Sequence, residues 1–393
     1  MRRLLSILRL ILRAKLIFKN PDNSKIIVFD DTTIKDFNNI LLKSKYFLLK
    51  CRIENIVHIY FSLEILKKII KNYKGNVMTA YLLSVIELVN PKIIITHIDN
   101  SIKFSEIAKK LYKKIHFIAI QNAYRIDVGE NKYRLQKKIT KLDYKKKLFL
   151  PNFLCFGKYE IDLYRKHKIN VKRFFIVGSL RLANYYYYLK KNKINLKKNK
   201  YDICLISESF RGRDVLFGKK NFEKKAVLLI KFTIKFCKEY NKKLVFPLKF
   251  YKNKKYLTLD HYKRYLTTEE YSFLEKSSLA KKNKFSSYVV MTQSRVSVAT
   301  ISTLLSERLA TNGKILSCNL TPTNLWDFPV KGICSIKNCN YIAFKKRLLK
   351  IYTMPEKTYF KKIRKNKSYL VDYNKSYSAI TKIKNKINYF LSL

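Results

Sequence analysis

The stretch Tyr288-Val289-Val290-Met291-Thr292-Gln293-Ser294-Arg295-Val296-Ser297-Val298-Ala299-Thr300-Ile301-Ser302-Thr303-Leu304-Leu305-Ser306-Glu307-Arg308-Leu309-Ala310-Thr311-Asn312-Gly313-Lys314-Ile315-Leu316-Ser317-Cys318-Asn319 decides the fold. An apolar run at 288–291, a polar turn, a helical stretch over 303–311, a stop at Gly313 and a second apolar run over 314–318 predict strand, turn, helix and strand. A helix that begins at Ser302 and Thr303 gathers free backbone N–H groups, two hydroxyls and the positive end of the helix dipole at one point, which suits a phosphate. Glu307 follows about one turn later, where a carboxylate can accept hydrogen bonds from a ribose. The same residues also describe a capped α/β unit with nothing bound, since Ser and Thr start helices in every context.

The rhythm continues on both sides. Strands are expected over 25–29, 55–61, 92–97, 116–120, 153–156 and 174–177, with helices over 34–50, 63–73, 78–89, 101–113 and 159–167. A second series has a strand over 201–206, a helix over 222–240, a strand over 243–246 and a helix near 269–281, and residues 341–393 read as mostly helical. Apolar strands alternating with helices indicate parallel sheets covered on both faces. The run 185–200, four tyrosines followed by lysines and asparagines, breaks the rhythm and is expected as a linker. The fold class is therefore α/β: two Rossmann-like doubly wound domains, over 21–184 and 201–353, face each other across a cleft. An amphipathic basic helix over 1–20 precedes them, and C-terminal helices over 354–393 pack back on the first domain.

With 393 residues and 47% hydrophobic content, the chain is long enough for two cores. Lys and Arg number 84 against 27 Asp and Glu, a formal charge of +57. The wealth of Lys, Ile, Asn, Tyr and Phe beside scarce Gly and Pro is the mark of an AT-rich genome, but codon bias does not explain the shortage of acids. Such a charge draws polyanions. The lysines are spread along the chain without a nucleic-acid motif, so nucleic acid is not an expected partner. Seven cysteines at 51, 155, 204, 237, 318, 334 and 339 include no CxxC pair and sit mostly in apolar runs, as reduced core thiols of a cytosolic protein do. Cys334 and Cys339 are the close pair in sequence, no histidines accompany them, and no metal is expected. No apolar run approaches the roughly 20 residues that span a bilayer. In MRRLLSILRLILRAKLIFK, Arg2, Ser6, Arg9 and Arg13 form a narrow stripe on an otherwise apolar helix. Arg9 and Arg13 interrupt what a signal peptide would need. An interfacial helix on an anionic membrane fits, and so does a first helix packed on its own domain.

Doubly wound sheets bind ligands beyond the carboxyl ends of their strands. The residues so placed are Asp99-Asn100, Gln121-Asn122 in the run to Arg125, Gly157 and Gly178-Ser179 in the first half. In the second they are 207–213, Lys249, 292–294 and Ser302-Thr303. There is no GxGxxG and no Walker motif, which argues against nicotinamide and P-loop enzymes. Metal-independent transfer from an activated sugar needs cations and N–H groups for the leaving phosphate, a carboxylate for the ribose and a base for the acceptor hydroxyl. Arg211, Arg213, Lys249, Ser302 and Thr303 suit the phosphate, Glu307 the ribose, and Asp99 the base, with Asn100, Gln121 and Asn122 beside it. His261 is a further candidate. His97 and His116 lie in apolar strands and read as packed. Every one of these charges is equally at home as a solvated loop residue.

With these residues in place, the chain resembles bacterial surface-carbohydrate (capsule and lipopolysaccharide) biosynthesis proteins of the GT-B glycosyltransferase fold and, more distantly, teichoic-acid glycerophosphotransferases. The resemblance is carried by 91–100, 117–125, 155–164, 177–179, 201–207, 301–319 and Phe328-Pro329. It implies a nucleotide-activated donor bound by the second domain, a glycan or lipid-linked acceptor facing the first, and a closing helix; no cofactor is expected, the nucleotide-sugar being a substrate. Teichoic-type relatives carry a His-Gly pair where this chain has Gln121-Asn122-Ala123, so their base is not carried over and Asp99 stands in. The expected protein is a cytoplasmic glycosyltransferase, peripheral on the anionic inner face of the membrane. A GT-B-fold sugar-nucleotide epimerase and a non-catalytic polyanion-binding accessory protein of capsule assembly are the alternatives.

Overall fold

A computed structural model describes residues 13–41, 44–52, 55–125, 148–207, 222–251, 255–281, 283–322, 324–363, 367–374 and 378–393. The first half runs β1 (Lys15–Ile17), β2 (Ile26–Phe29), β3 (Phe47–Leu49), β4 (His58–Tyr60), α1 (Leu63–Asn72), α2 (Val77–Val89), β5 (Ile93–Thr96), α3 (Ile102–Leu111), β6 (His116–Ile120), β7 (Phe149–Cys155), α4 (Lys158–Lys166), β8 (Asn170–Ile176) and α5 (Leu180–Lys191). The second runs β9 (Tyr201–Leu205), α6 (Phe222–Glu239), β10 (Leu244–Tyr251), α7 (Lys255–Lys263), α8 (Thr268–Lys276), β11 (Ser278–Lys281), α9 (Ser286–Thr292), β12 (Ser294–Ala299), α10 (Thr303–Ala310), β13 (Lys314–Asn319), β14 (Ser335–Lys337), α11 (Tyr341–Thr353), α12 (Glu356–Lys361) and α13 (Ala379–Ser392).

Two six-stranded parallel sheets result, in the orders β3-β2-β5-β6-β7-β8 and β11-β10-β9-β12-β13-β14. The strand order reverses between β2 and β5 in one and between β9 and β12 in the other, which opens a crevice at the carboxyl ends there. Both sheet faces are covered. Ile26, Val28, Ile93, Ile95, Ile118 and Ile120 form one apolar layer, while Ile27, Phe29, Ile94, Phe117 and Ala119 form the opposite one. The strands therefore read as continuous apolar runs, since side chains alternate between two buried faces.

The chain returns to the first domain at its end. Asp372 N–H donates to the Phe156 carbonyl at 2.8 Å, just beyond β7, and α13 then lays Ile380, Ile383, Ile387 and Phe390 against the Ile93/Ile95/Ile118/Ile120 layer. Two glycines permit the crossing. A Cβ at Gly157 would meet the Tyr369 carbonyl oxygen at 2.6 Å, and one at Gly178, whose φ is +82°, would run into the Asp372 carbonyl oxygen.

Several expectations are corrected. Residues 1–12 of the expected amino-terminal helix lie outside the described residues, and Lys15–Ile17 form a strand paired with β4. The expected helix over 34–50 is a 3-10 turn at Ile34–Phe37 followed by β3, because Phe37, Ile40 and Leu41 bury into the first core while the next apolar triplet extends the sheet. The expected strand over 288–291 is helix α9. Asn283 turns the chain just ahead of it, its Oδ1 accepting from Phe285 N–H at 2.8 Å, and burial of Tyr288, Val290 and Met291 overrides the few tenths of a kcal/mol by which valine disfavours helix. The region 269–281 divides into α8 and β11. Tyr185 lies inside α5 and is completely buried, so the first part of the expected linker is helix. Asn312, not Gly313, takes the left-handed conformation (φ +62°) that ends α10, with Gly313 N–H donating to the Arg308 carbonyl and Asn312 N–H to that of Leu309. Gly313 instead leaves room for the Arg308 side chain.

Gly178→Ala and Gly75→Ala separate backbone strain from collision, since Gly75 has a similar φ of +78° with open space where a Cβ would stand. The Gly75 variant is expected to cost about 1 kcal/mol and the Gly178 variant clearly more. Urea midpoints of the two variants check the order, and equal losses would remove the role given to the crossing.

Candidate functional site at the junction of the domains

The start of α10 is built from the quoted stretch. Ser302 is its N-cap, the hydroxyl accepting from Leu304 N–H at 3.3 Å. Thr303 Oγ1 accepts from Tyr124 N–H at 3.0 Å, so the loop after β6 of the first domain is tied to the first turn of a second-domain helix. Glu307, one turn on, is completely buried. Its Oε1 accepts from Ser179 Oγ at 2.5 Å and from Tyr288 OH at 3.1 Å, while Oε2 is buried with no hydrogen-bond partner. Burial pushes this carboxyl up to about 7 against the pull of the two hydroxyl donors and of the Arg181 charge. Ser179 also caps α5, accepting from Leu182 N–H at 3.2 Å. From the same helix Tyr185 stacks on Tyr288 at 5.2 Å and donates from its OH to Thr292 Oγ1 at 3.1 Å.

The first-domain wall lies at the carboxyl ends of β2, β5 and β6. Asp99 is completely buried and engages both oxygens. Arg125 grips it with Nε at 2.9 Å from Oδ2 and with Nη2 on Oδ1. Asn122 N–H donates to Oδ1 at 3.2 Å, and Tyr164 OH lies 3.4 Å from Oδ2. Arg125 Nη2 also donates to Asn122 Oδ1 at 3.0 Å. Gln121 is locked as well: Oε1 accepts from Phe156 N–H at 2.7 Å, and Nε2 donates to Glu160 Oε1 at 2.7 Å and to the Ala123 carbonyl at 3.0 Å. Burial, with the Asp99 carboxylate adding to it, pushes Glu160 up to about 8, and its Oε2 has no partner.

A second ionic group adjoins this one. His97 is 1% exposed, with Nε2 3.1 Å from the Gln121 carbonyl and Nδ1 3.1 Å from Asp36 Oδ2. Arg181 Nε donates to the same Asp36 oxygen at 3.1 Å, and its Nη1 reaches the Asn122 carbonyl at 3.4 Å. Burial alone would raise Asp36, but His97 and Arg181 outweigh it and hold the carboxyl at about 2. Arg181 thus stands between the two walls, its charge felt by Asp36 on one side and Glu307 on the other.

The structure brings Asp99, Gln121, Asn122, Thr303 and Glu307 into one region. Asn100 follows Asp99 into the turn that leads to α3. Asp99, expected from sequence as the base, has both oxygens engaged and fixes Arg125. Arg211 and Arg213 lie outside the described residues; Lys249 sits on β10, its side chain likewise outside them. His261 is on α7, with Nε2 3.8 Å from the Glu223 carboxylate that Arg264 also binds. His116 packs on the Phe390 ring at 5.1 Å, and burial lowers its pKa. Sequence reasoning missed Asp36, Glu160, Arg181 and Tyr288. Arg181, three residues beyond the glycine that ends a strand, carried a readable signal, whereas Asp36 was hidden in an expected helix. Among the described residues no three His, Cys, Asp or Glu side chains are grouped to hold a metal. The two thiols that meet are Cys318 and Cys339, with sulfurs 3.8 Å apart, not Cys334 and Cys339.

By sequence, no protein family and no curated protein matches the chain. Solved structures do match in shape. The Methanocaldococcus jannaschii UDP-GlcNAc 2-epimerase in complex with UDP-GlcNAc and UDP is 12% identical, with a TM-score of 0.52 over 93% of this chain and 99% of that one. The wall teichoic acid polymerase TagF, as an H444N variant with CDPG, is 12% identical, with a TM-score of 0.53 over 94% and 90% of the two chains. Sucrose-phosphate synthase from Thermosynechococcus elongatus is 10% identical, with a TM-score of 0.53 over 94% and 99%. At these identities the likeness is one of fold: two parallel-sheet Rossmann-like domains of GT-B type, closed by a C-terminal helix.

Proposed function

We propose that the chain is a glycosyltransferase that moves a sugar, or a related polyol-phosphate unit, from a nucleotide-activated donor to a surface polysaccharide or lipid-linked glycan on the anionic inner face of the membrane. The observation that carries this reading is Glu307. It is a carboxylate buried beyond the switch point of the second sheet, with one oxygen held by two hydroxyls and the other without a partner. A ribose supplies the hydroxyl donors that such an oxygen lacks. The start of α10 offers its N–H groups to a phosphate, and the guanidinium groups of Arg125 and Arg181, oriented by Asp99 and Asp36, fit the charge of a leaving diphosphate. Arg211, Arg213 and Lys249 remain the further phosphate ligands of this reading. Proteins of similar fold that have been solved with UDP, UDP-GlcNAc or CDPG support a nucleotide-linked donor.

In this reading the second domain swings away from α5 to admit a ribose, which breaks the Ser179–Glu307 hydrogen bond and leaves Tyr288, of the same domain as Glu307, on the carboxylate. Ligand entry and domain opening are then one event. Ser179 acts as the latch across the junction, and Tyr288 holds the same oxygen from within the second domain.

The carboxylate accepts from ribose hydroxyls best when ionised, so nucleotide affinity is expected to rise as pH climbs through about 7 and to level off above it. Glu307→Gln keeps an acceptor for Ser179 and Tyr288 but loses the charge. Titration calorimetry with UDP and CDP should find it about 10- to 100-fold weaker and without the pH dependence. Affinity that matches the parent at all pH values would remove Glu307 from the site.

The epimerase reading has the full-length likeness to UDP-GlcNAc 2-epimerases in its favour. It and the transferase reading part on products. A transferase releases nucleotide only when an acceptor glycan is supplied, whereas an epimerase converts the donor by itself. An accessory protein would show neither product and no thermal shift with nucleotide, where a binder at 100 times its dissociation constant gains about 2.7 kcal/mol.

A further inference from the structure

More than half of the large apolar side chains exposed among the described residues lie between residues 16 and 77, outside the main sheets. Most of these belong to one small module. β1 and β4 pair in parallel, Phe18 and Phe61 meet edge to face at 5.9 Å just beyond them, and α1 starts at Leu63. Asn20 links the two strand ends to α1 by accepting from Ser62 Oγ at 2.6 Å and donating to Glu64 at 2.7 Å. Phe18 is 75% exposed, and Leu63 and Ile70 are each 78% exposed.

Leu63 and Ile70 are seven residues apart, hence on one side of α1, and Ile65, on the other side, is buried against the domain. Lys67 and Lys71 share the outward side, and Lys74 follows beyond the helix end. Among the described residues none of these three lysines makes an ion pair, and the acids of the module are Asp22 and Glu64. A helix that buries one side and still presents leucine and isoleucine to water on the other has an unmet partner.

We propose that the outward face of β1, β4 and α1 docks on an anionic phospholipid bilayer, with Phe18, Leu63 and Ile70 entering the interface and Lys67, Lys71 and Lys74 contacting headgroup phosphates. The chemistry selects this occupant. Protein interfaces deplete lysine in their cores, whereas protruding apolar side chains set among lysines match an anionic lipid surface. No helix among the described residues is long and apolar enough to cross a membrane, and α1, about 15 Å long, lies on the surface instead of spanning it. The inference deepens the membrane part of the proposed function and is independent of its nucleotide chemistry.

Co-sedimentation of the full chain with phosphatidylcholine vesicles, with and without phosphatidylglycerol, tests it without any nucleotide. The parent is expected to bind the anionic vesicles and to release with salt. Phe18→Ser/Leu63→Gln/Ile70→Gln and Lys67→Glu/Lys71→Glu/Lys74→Glu should each weaken binding about tenfold or more. Leu279→Gln/Ile342→Gln, which removes exposed apolar side chains of the second domain, should leave it unchanged. Nucleotide thermal shifts of the variants check the fold separately, so a failed nucleotide site and a failed docking face give different results. Parent-like vesicle binding by the apolar triple variant, or no binding by the parent, overturns the proposal. So does a dimer in light scattering that the triple variant dissolves, since the face would then be covered by a second copy.

Discussion

A carboxylate taken out of water with only two hydroxyls to hold it sets the terms for the rest of this structure. Moving Glu307 into the junction costs free energy that two hydrogen bonds do not fully offset, which is why its carboxyl is pushed up to about 7. Both hydroxyls come from places fixed by other demands. Ser179 must cap α5 straight after Gly178, and Tyr288 must stack on Tyr185 to fill the joint between domains. The resting junction is therefore closed but not tightly satisfied. Under the proposed transfer from a charged donor, the hydrogen bonds given up at this carboxylate on opening are replaced by those from the ligand.

Opposite, the first domain spends its acids on holding cations in place. Asp99 and Asp36 each orient an arginine, and the two arginines converge on the backbone and side chain of Asn122. In a chain with 84 basic side chains, charge alone distinguishes nothing. Two guanidinium groups with fixed planes do, because a planar fork recognises phosphate oxygens by direction as well as by sign. Gln121 is held by five neighbours and contributes rigidity, with no proton to give or take at ordinary pH.

Much of the architecture was legible in the sequence where burial on both faces forces uninterrupted apolar runs: 116–120 coincides with β6, and 92–97 and 314–318 fall within a residue or so of β5 and β13. Legibility failed where long-range packing outweighed local preference. Val289 and Val290 are strand formers that became helix, the tyrosines of 185–188 looked like a break and lie in α5 with Tyr185 buried at the domain joint, and the triplets Phe47–Leu49 and Ser335–Lys337 are too short to announce edge strands. In the site, Glu307 and Thr303 were readable from spacing after a strand. What those side chains touch was not, because Ser179 is 128 residues from Glu307 and Tyr124 is 179 from Thr303.

The return of the chain at Gly157 and Gly178 has a bearing on how the protein is made. The isoleucines of α13 complete a layer whose other members come from strands near the beginning, and Lys92 is tied to the Leu391 carbonyl across 299 positions. The first domain to leave the ribosome therefore waits with an open apolar face while the second is synthesised and folds. Its consolidation is slow by topology and depends on the second domain having formed correctly. That order of assembly ties completion of the first domain's core to the end of the chain, although each domain has a sheet and a crevice of its own.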